Sequence, residues 1–353
     1  MGNEEQSNAV RDVLGVLSQG QDLPADQAQA AMAQILAGAA SDAQIAGFIV
    51  ALRMKGETVE ELRGLVDAML AAADRVSLDV DGPVVDIVGT GGDRAHTINV
   101  STLAALVVAG AGGYVCKHGN RAASSQTGAA DLLEALGVRI DCGPEEVARC
   151  VAEAGIGFCF APRFHSAMRH AGPTRRELGI PTAFNLLGPL ANPAGVKRYM
   201  IGVADAAMAE RMAGVLAARG CERAILVHGD DGLDELTVST TSTVVELHEG
   251  TIRRWQVDPA ALGIPRAPLG ELVGGDPATN ATLAKRVLAG EPGAHHDIVS
   301  LNAAAGLMAA GLVDDLPEGL EVARASIDDG DAAAALDRLI GLSNAPAPET
   351  GIT

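Results

Sequence analysis

The stretch VVDIVGTGGDRAHTINVST, residues 84–102, most narrows what this chain can fold into. Val84, Val85, Ile87 and Val88 form a β-branched run of the kind that fills a strand buried on both faces. Gly89, Gly91 and Gly92 then make a turn in which backbone can approach a ligand, because no Cβ stands in the way. Thr90, Thr97, Ser101 and Thr102 add hydroxyls, and the apolar run 103–108 continues as a helix. Backbone N–H groups beside a helix N-terminus form an anion site, so phosphate is the natural guest. An ordinary tight strand-to-helix connection has the same pattern, and the loop alone does not decide between the two.

Its surroundings set the fold class. Residues 1–75 read as successive helices. Ser41 and Gln44 have capping-box spacing ahead of Ile45, Phe48, Ile49 and Leu52, and Thr58 and Glu61 repeat it ahead of Leu62, Leu65, Val66, Met69 and Leu70. From Gly82 the pattern alternates. Strands are expected at 84–88, 114–117, 157–160, 200–202 and 224–228, and helices at 102–109, 129–136, 144–154 and 206–219. A hairpin is expected from 244–247 and 251–257, and helices again over 276–341. This is an α/β chain: a small all-helical N-terminal domain and a larger one whose mainly parallel sheet is flanked by helices. The expected division is 1–80, 81–343 and a flexible Pro/Ala-rich tail at 344–353. The segment 166–193 breaks the alternation and is expected partly to rejoin the helical domain.

Charge and composition exclude some functions. A net charge of −19 lacks the basic footprint of a duplex binder. Aromatics at 2% lack the stacking platforms that grip single strands, so nucleic acid is not an expected partner. Five scattered cysteines without C-x-x-C spacing fit free thiols in a reducing compartment. No signal peptide, myristoylation pattern or membrane-length apolar run is read, so a cytoplasmic location is expected.

Three further segments carry candidate chemistry. KHGNRAASS places Lys117, His118 and Arg121 among Asn120, Ser124 and Ser125 after the second strand, a cationic cover for phosphate or pyrophosphate oxygens. The run from Phe158 to Pro193 holds His165, Arg169, Arg175 and Arg176, where an arginine fork suits a carboxylate, and then the turn-rich Asn185, Gly188, Pro189, Asn192 and Pro193. HGDDGLDELT crowds Asp230, Asp231, Asp234 and Glu235 at a strand end, as a hard dication bridging phosphates would require. Taken singly, the second and third also read as solvated surface.

GTGGD, NVST, KHGNR, FH…RRELG…NLLGPLANP and HGDDGLDE, in this order, resemble the anthranilate phosphoribosyltransferases over nearly the whole chain. The resemblance implies a nucleoside phosphorylase/phosphoribosyltransferase-like fold. It also implies Mg²⁺ dependence, a homodimer through the helical domain, and transfer of phosphoribosyl from phosphoribosyl pyrophosphate to anthranilate in tryptophan biosynthesis. It carries phosphoribosyl pyrophosphate binding onto Gly89, Gly92, Asp93, Thr97, Asn99, Val100, Ser101 and Thr102. The same role extends to Lys117, His118, Gly119, Asn120, Arg121, Ala122, Ala123, Ser124, Ser125 and Ala129. Anthranilate contacts fall on Gly89, Asn120 and Arg175, and metal ligands on Ser101, Asp234 and Glu235, with no acid–base residue implied. Arg94 departs from the pattern, since many members have glycine after GTGGD. A pyrimidine nucleoside phosphorylase-like glycosyltransferase is the alternative enzyme.

Overall fold

A computed structural model describes residues 8–122 and 126–346. Four helices come first: α1 (Ala9–Leu17), α2 (Ala25–Leu36), α3 (Asp42–Lys55) and α4 (Val59–Ala71). Both capping boxes form. Ser41 and Thr58 hydroxyls accept from Gln44 N and Glu61 N, and the Gln44 and Glu61 side chains accept from the Ser41 and Thr58 amides in return. Each satisfies helix-end donors that would otherwise lack partners. Glu61 goes further: fully buried, it also accepts from Leu23 N at 2.9 Å and pairs with Lys55 at 2.9 Å, tying the loop before α2 to α4.

The second unit alternates as β1 (Val84–Gly89), α5 (Val100–Gly110), β2 (Tyr114–Gly119), α6 (Ala129–Ala135), α7 (Pro144–Ala154) and β3 (Ile156–Phe160). Short helices α8 (Ala161–Phe164), α9 (Gly172–Leu178) and α10 (Phe184–Leu190) interrupt it. The chain resumes with β4 (Arg198–Gly202), α11 (Ala206–Ala218), β5 (Arg223–Gly229), β6 (Ser242–His248) and β7 (Thr251–Val257). It ends with α12 (Pro277–Leu288), α13 (Ala294–Ala310), α14 (Leu316–Asp328) and α15 (Asp331–Asn344).

The seven strands lie in the order β3-β2-β1-β4-β5-β6-β7, parallel through β5 and antiparallel for the closing hairpin. After β1 the chain moves outward through β2 to β3, then crosses to the other side of β1 to form β4. The carboxyl end of β1 is therefore the point at which strand order reverses, where open α/β sheets bind ligands. Because β1, β2 and β5 are parallel, the GTGGD, KHGNR and HGDDGLDE segments all leave the sheet along this one edge.

Two apolar cores sandwich the sheet. One packs Val85, Ile87 and Val115 under α5 and α13. The other joins Ile201, Leu226 and Leu247 to α11 and runs without a break into Phe48, Ile49, Leu62 and Leu65 of the helical unit. The polar segment 166–193 lies against that unit: α9 packs on α3, where the Thr174 hydroxyl donates to Asp42 at 3.2 Å, and α10 packs on α4. Among the described residues, no helix is long and apolar enough to cross a membrane.

Candidate active site

Strand alternation distributes the KHGNR residues. Successive side chains of β2 point to opposite faces, so Lys117 follows Val115 toward α5 and His118 follows Cys116 toward the 184–193 segment. Lys117 is 1% exposed, and its ammonium donates to the Ile87 carbonyl at 2.5 Å and the Ser101 hydroxyl at 3.4 Å. Burial pulls its pKa down to about 8, against the pull of Asp86 and Glu235, so it remains mostly charged at neutral pH. His118 is held neutral by burial, its pKa lowered to about 3. Its Nδ1 lies 3.1 Å from the Gly188 carbonyl, and its ring is 5.1 Å from that of His165.

The acidic segment reaches these groups by crossing the end of β4. A Cβ at Gly202 would fall on the Asp234 carbonyl, so only glycine lets the loop pass there. A Cβ at Gly89 would lie 2.6 Å from Asp234 Oδ2, a second position where side-chain absence permits the approach. Asp234 Oδ2 accepts from Gly91 N at 2.7 Å, and Glu235 Oε1 accepts from Ser101 N at 3.1 Å in the first turn of α5. Burial, with Asp93 beside it, pushes the Asp234 carboxyl up to about 7. Burial and the Asp234 charge push Glu235 well above the usual carboxylate range, opposed by Lys117.

Crowded, buried carboxylates of this kind suit a hard dication. Among the described residues Glu235 Oε2 is buried without a hydrogen-bond partner, beside the Asp234 carboxylate and the first turn of α5 that carries Ser101. A hard cation would satisfy that oxygen and relieve the repulsion. Among the described residues no three His, Cys, Asp or Glu side chains form a closed metal cage. Two carboxylates and a hydroxyl instead suit Mg²⁺, which keeps waters and substrate oxygens in its shell. The residues present fit the ion.

Other expected residues are less available than their sequence suggested. Arg121 pairs with Asp131 and Glu134 at 2.8 Å each and stacks over Phe160, so its charge is already offset. Asp131 also accepts from Ala122 N and Gly128 N, both at 2.9 Å, which folds the loop back on α6. Asp230 and Asp231 turn away from Asp234 and Glu235, bonding instead to Thr241 and Thr243 and to Thr237 and Ser239 respectively. Val100 and Thr102 are almost wholly buried, and their backbone amides already donate to Ile98 O at 2.7 Å and Asn99 O at 3.1 Å. Both ends of the Asn99 amide are taken by protein groups. Gly92, exposed, and Asp93 and Thr97, half-buried, remain at the mouth of the loop, and Asn120 is exposed at the end of β2. A Cβ at Gly119 would press on Phe158 and on Ala129, the first residue of α6. Ala123, Ser124 and Ser125 lie outside the described residues.

Arg94 and His96 have φ of 61° and 55°, the left-handed region that glycine enters freely and other residues at a cost. That explains why glycine suits the position after GTGGD. Arg175, on α9, holds its guanidinium 5.2 Å above the Phe184 ring without an acidic partner among the described residues, whereas Arg176 is exposed.

Sequence reasoning passed over Asp86. It lies within the apolar strand run, fully buried, accepting from His118 N at 3.0 Å and from Asn192 Nδ2 at 2.8 Å. Burial raises its pKa to about 6, restrained by Asn192 and Lys117. It supplies Lys117 with a buried counter-charge and ties β2 to the 166–193 segment. A carboxylate inside a β-branched run was the available signal.

Comparison with known proteins agrees with this architecture. Residues 11–73 match the helical bundle domain, and residues 81–333 the a/b domain, of the Glycosyl transferase family. The chain is 56% identical over 338 residues to the anthranilate phosphoribosyltransferase of Rhodococcus jostii, covering 94% of this chain and 92% of that protein. The anthranilate phosphoribosyltransferase structure from Thermus thermophilus is similar at 44% identity and a TM-score of 0.90, covering 96% of this chain and all of that one. The Saccharomyces cerevisiae enzyme in complex with PRPP (phosphoribosyl pyrophosphate) and Mg is similar at 28% identity and a TM-score of 0.87, covering 96% of this chain and 98% of that one. Another structure of that yeast enzyme, at 27% identity and a TM-score of 0.85, holds 4-fluoroanthranilate and covers 95% and 99%.

Proposed function

The chain belongs to the anthranilate phosphoribosyltransferases, pentosyltransferases of tryptophan biosynthesis, and on that premise we propose how its residues divide the reaction. The amine of anthranilate bonds to the anomeric carbon of phosphoribosyl pyrophosphate as the carbon–oxygen bond to pyrophosphate breaks, and the nitrogen then gives up one proton to the released pyrophosphate or to water. Negative charge develops on the leaving group, and stabilising it is the main demand on the protein.

The observation that carries the assignment is the convergence of Asp234 and Glu235 on Gly91 and Ser101, with buried Lys117 beside them. Backbone donors at 92–93 meet the leaving oxygens as dipoles already oriented before reaction, and Lys117, buried beneath them, adds a fixed positive charge. Gly89, Gly92, Asp93, Thr97 and 99–102, together with 117–125 and Ala129, receive the pyrophosphate and ribose. Asp234, Glu235 and Ser101 would hold Mg²⁺, which when bound supplies Lewis-acid neutralisation of pyrophosphate oxygens. Arg175 takes the anthranilate carboxylate through its guanidinium fork, and Asn120 and Gly89 border the ring, placing the amine against the sugar. No side chain is assigned as a general base.

The reading is tested by following anthranilate fluorescence on addition of phosphoribosyl pyrophosphate, with Mg²⁺ and then with EDTA. Mg²⁺-dependent loss of signal with release of pyrophosphate is expected; a folded protein that leaves the signal unchanged would sink it. We place the enzyme in the cytoplasm, where its five buried free thiols remain reduced. We also take it as a homodimer through the helical domain, where Met54 of α3 is 83% exposed. Light scattering should give twice the 35.9 kDa chain mass, and a monomer mass would remove that reading.

A further inference from the structure

The 273–280 segment, which no motif singled out, is bonded to both phosphate-side loops. It runs antiparallel to the end of the GTGGD loop: Ile98 N donates to Leu272 O at 3.0 Å, Gly274 N to His96 O at 2.9 Å, and Thr97 bridges Val273. Where the segment turns into α12, Asn280 is 3% exposed and closes a ring of four hydrogen bonds. Its Oδ1 accepts from Gly275 N at 2.7 Å, and its Nδ2 donates to Asn99 Oδ1 at 2.9 Å. Asn99 Nδ2 donates to the Thr127 carbonyl at 3.0 Å, and the Thr127 hydroxyl donates to the Gly275 carbonyl at 2.7 Å.

The polarity of this ring is fixed at both ends. The Gly275 amide can only donate and the Thr127 carbonyl can only accept, so each asparagine has one permitted orientation. Asn99 is the residue on which α5 starts: its carbonyl accepts from Thr102 N and Leu103 N, and its side chain makes no cap bond of its own. Whatever holds the Asn99 side chain therefore sets the direction of the first turn of α5, with Ser101 in it. The same ring holds Thr127, which closes the loop that begins at Asn120. Three segments far apart in sequence are fixed together by one amide, and α12 packs against α6 to keep it there.

We propose that Asn280 is a positioning residue for phosphoribosyl pyrophosphate: through Asn99 it aligns the first turn of α5 with Thr127 and the turn into α6, without touching the substrate. This rests on the reading of those two loops as the phosphoribosyl pyrophosphate site. Loss of the Asn280 amide leaves Asn99 Oδ1 without its donor and releases the turn. Arg175, which would hold the anthranilate carboxylate, shares no hydrogen bond with the ring, and of the anthranilate contacts only Asn120 lies on the loop it holds, so anthranilate binding changes the less.

The test measures KM for each substrate, kcat and thermal unfolding for wild type, Asn280→Ala, Asn99→Ala and the double variant. Asn280→Ala is expected to raise KM for phosphoribosyl pyrophosphate about tenfold, with anthranilate KM within about twofold. In the Asn99→Ala background the same change should add little, since the two act through one bond. Asn280→Ser retains a small polar side chain that is too short to reach both Gly275 and Asn99, and gives the same split should the alanine variant not fold. Equal changes in both KM values, a fall in unfolding temperature alone, or full additivity with Asn99→Ala would overturn the proposal. An inactive wild type would instead overturn the site reading on which it stands.

Discussion

Glu235→Gln is expected to lower kcat by about a hundredfold or more and to shift half-saturation by Mg²⁺ upward at least about tenfold. The substitution retains size and an acceptor for the Ser101 amide, which Glu235 Oε1 holds at 3.1 Å, so the first turn of α5 should keep its place. It removes the charge from Oε2, the buried oxygen with no hydrogen-bond partner among the described residues. Lys117 then faces one carboxylate fewer, and the pull that Glu235 exerts toward its charged form is lost. Asp231→Asn is the matched control. Asp231 belongs to the same acidic run but is bonded to Thr237 and Ser239, and its replacement should leave the Mg²⁺ titration where it was. A Glu235→Gln enzyme with unchanged Mg²⁺ dependence would show that the ion is held elsewhere.

The contrast between Glu235 and Asp231 shows what a sequence discloses and what it withholds. Apolar runs with period two, glycine turns and capping boxes are local, and from them the strands, helices and layer order could be expected. Lys117 and His118, which the sequence groups as one cationic cover, are parted by β2 to opposite faces. Whether a charged side chain is available to a ligand is settled by partners that sequence distance hides. Arg121 reads as a free cation until Asp131 and Glu134 are brought onto it by the turn into α6. Asp231 reads as a ligand until Thr237 and Ser239 fold under it. Asp86 goes unnoticed within an apolar strand, because Asn192, which stabilises it, lies 106 positions away. Asn280 is farther still from Asn99, 181 positions along the chain, and no local pattern signals a bond of that span.

Arg175 is the reverse case, a cation that folding leaves without a partner, and it gives the second large effect. In a chain with a net charge of −19, carboxylates outnumber ammonium and guanidinium groups. Arg175 finds none among the described residues. Its guanidinium lies 5.2 Å above Phe184, and burial alone accounts for the downward pull on its pKa, which leaves it charged at neutral pH. Desolvating a cation without an acidic partner is costly, and a bound carboxylate would offset that cost with a bidentate, charge-assisted pair. Arg175→Ala is therefore expected to raise KM for anthranilate roughly ten- to hundredfold while KM for phosphoribosyl pyrophosphate stays within about twofold. Arg175→Lys should recover only part of the loss, because an ammonium cannot present two parallel N–H donors to a carboxylate. Arg176→Ala, one position on and exposed, should change neither constant appreciably. Steady-state kinetics with each substrate varied at saturation of the other would read all three variants. Equal losses for both substrates in Arg175→Ala would mean that the guanidinium supports the site as a whole rather than holding the carboxylate.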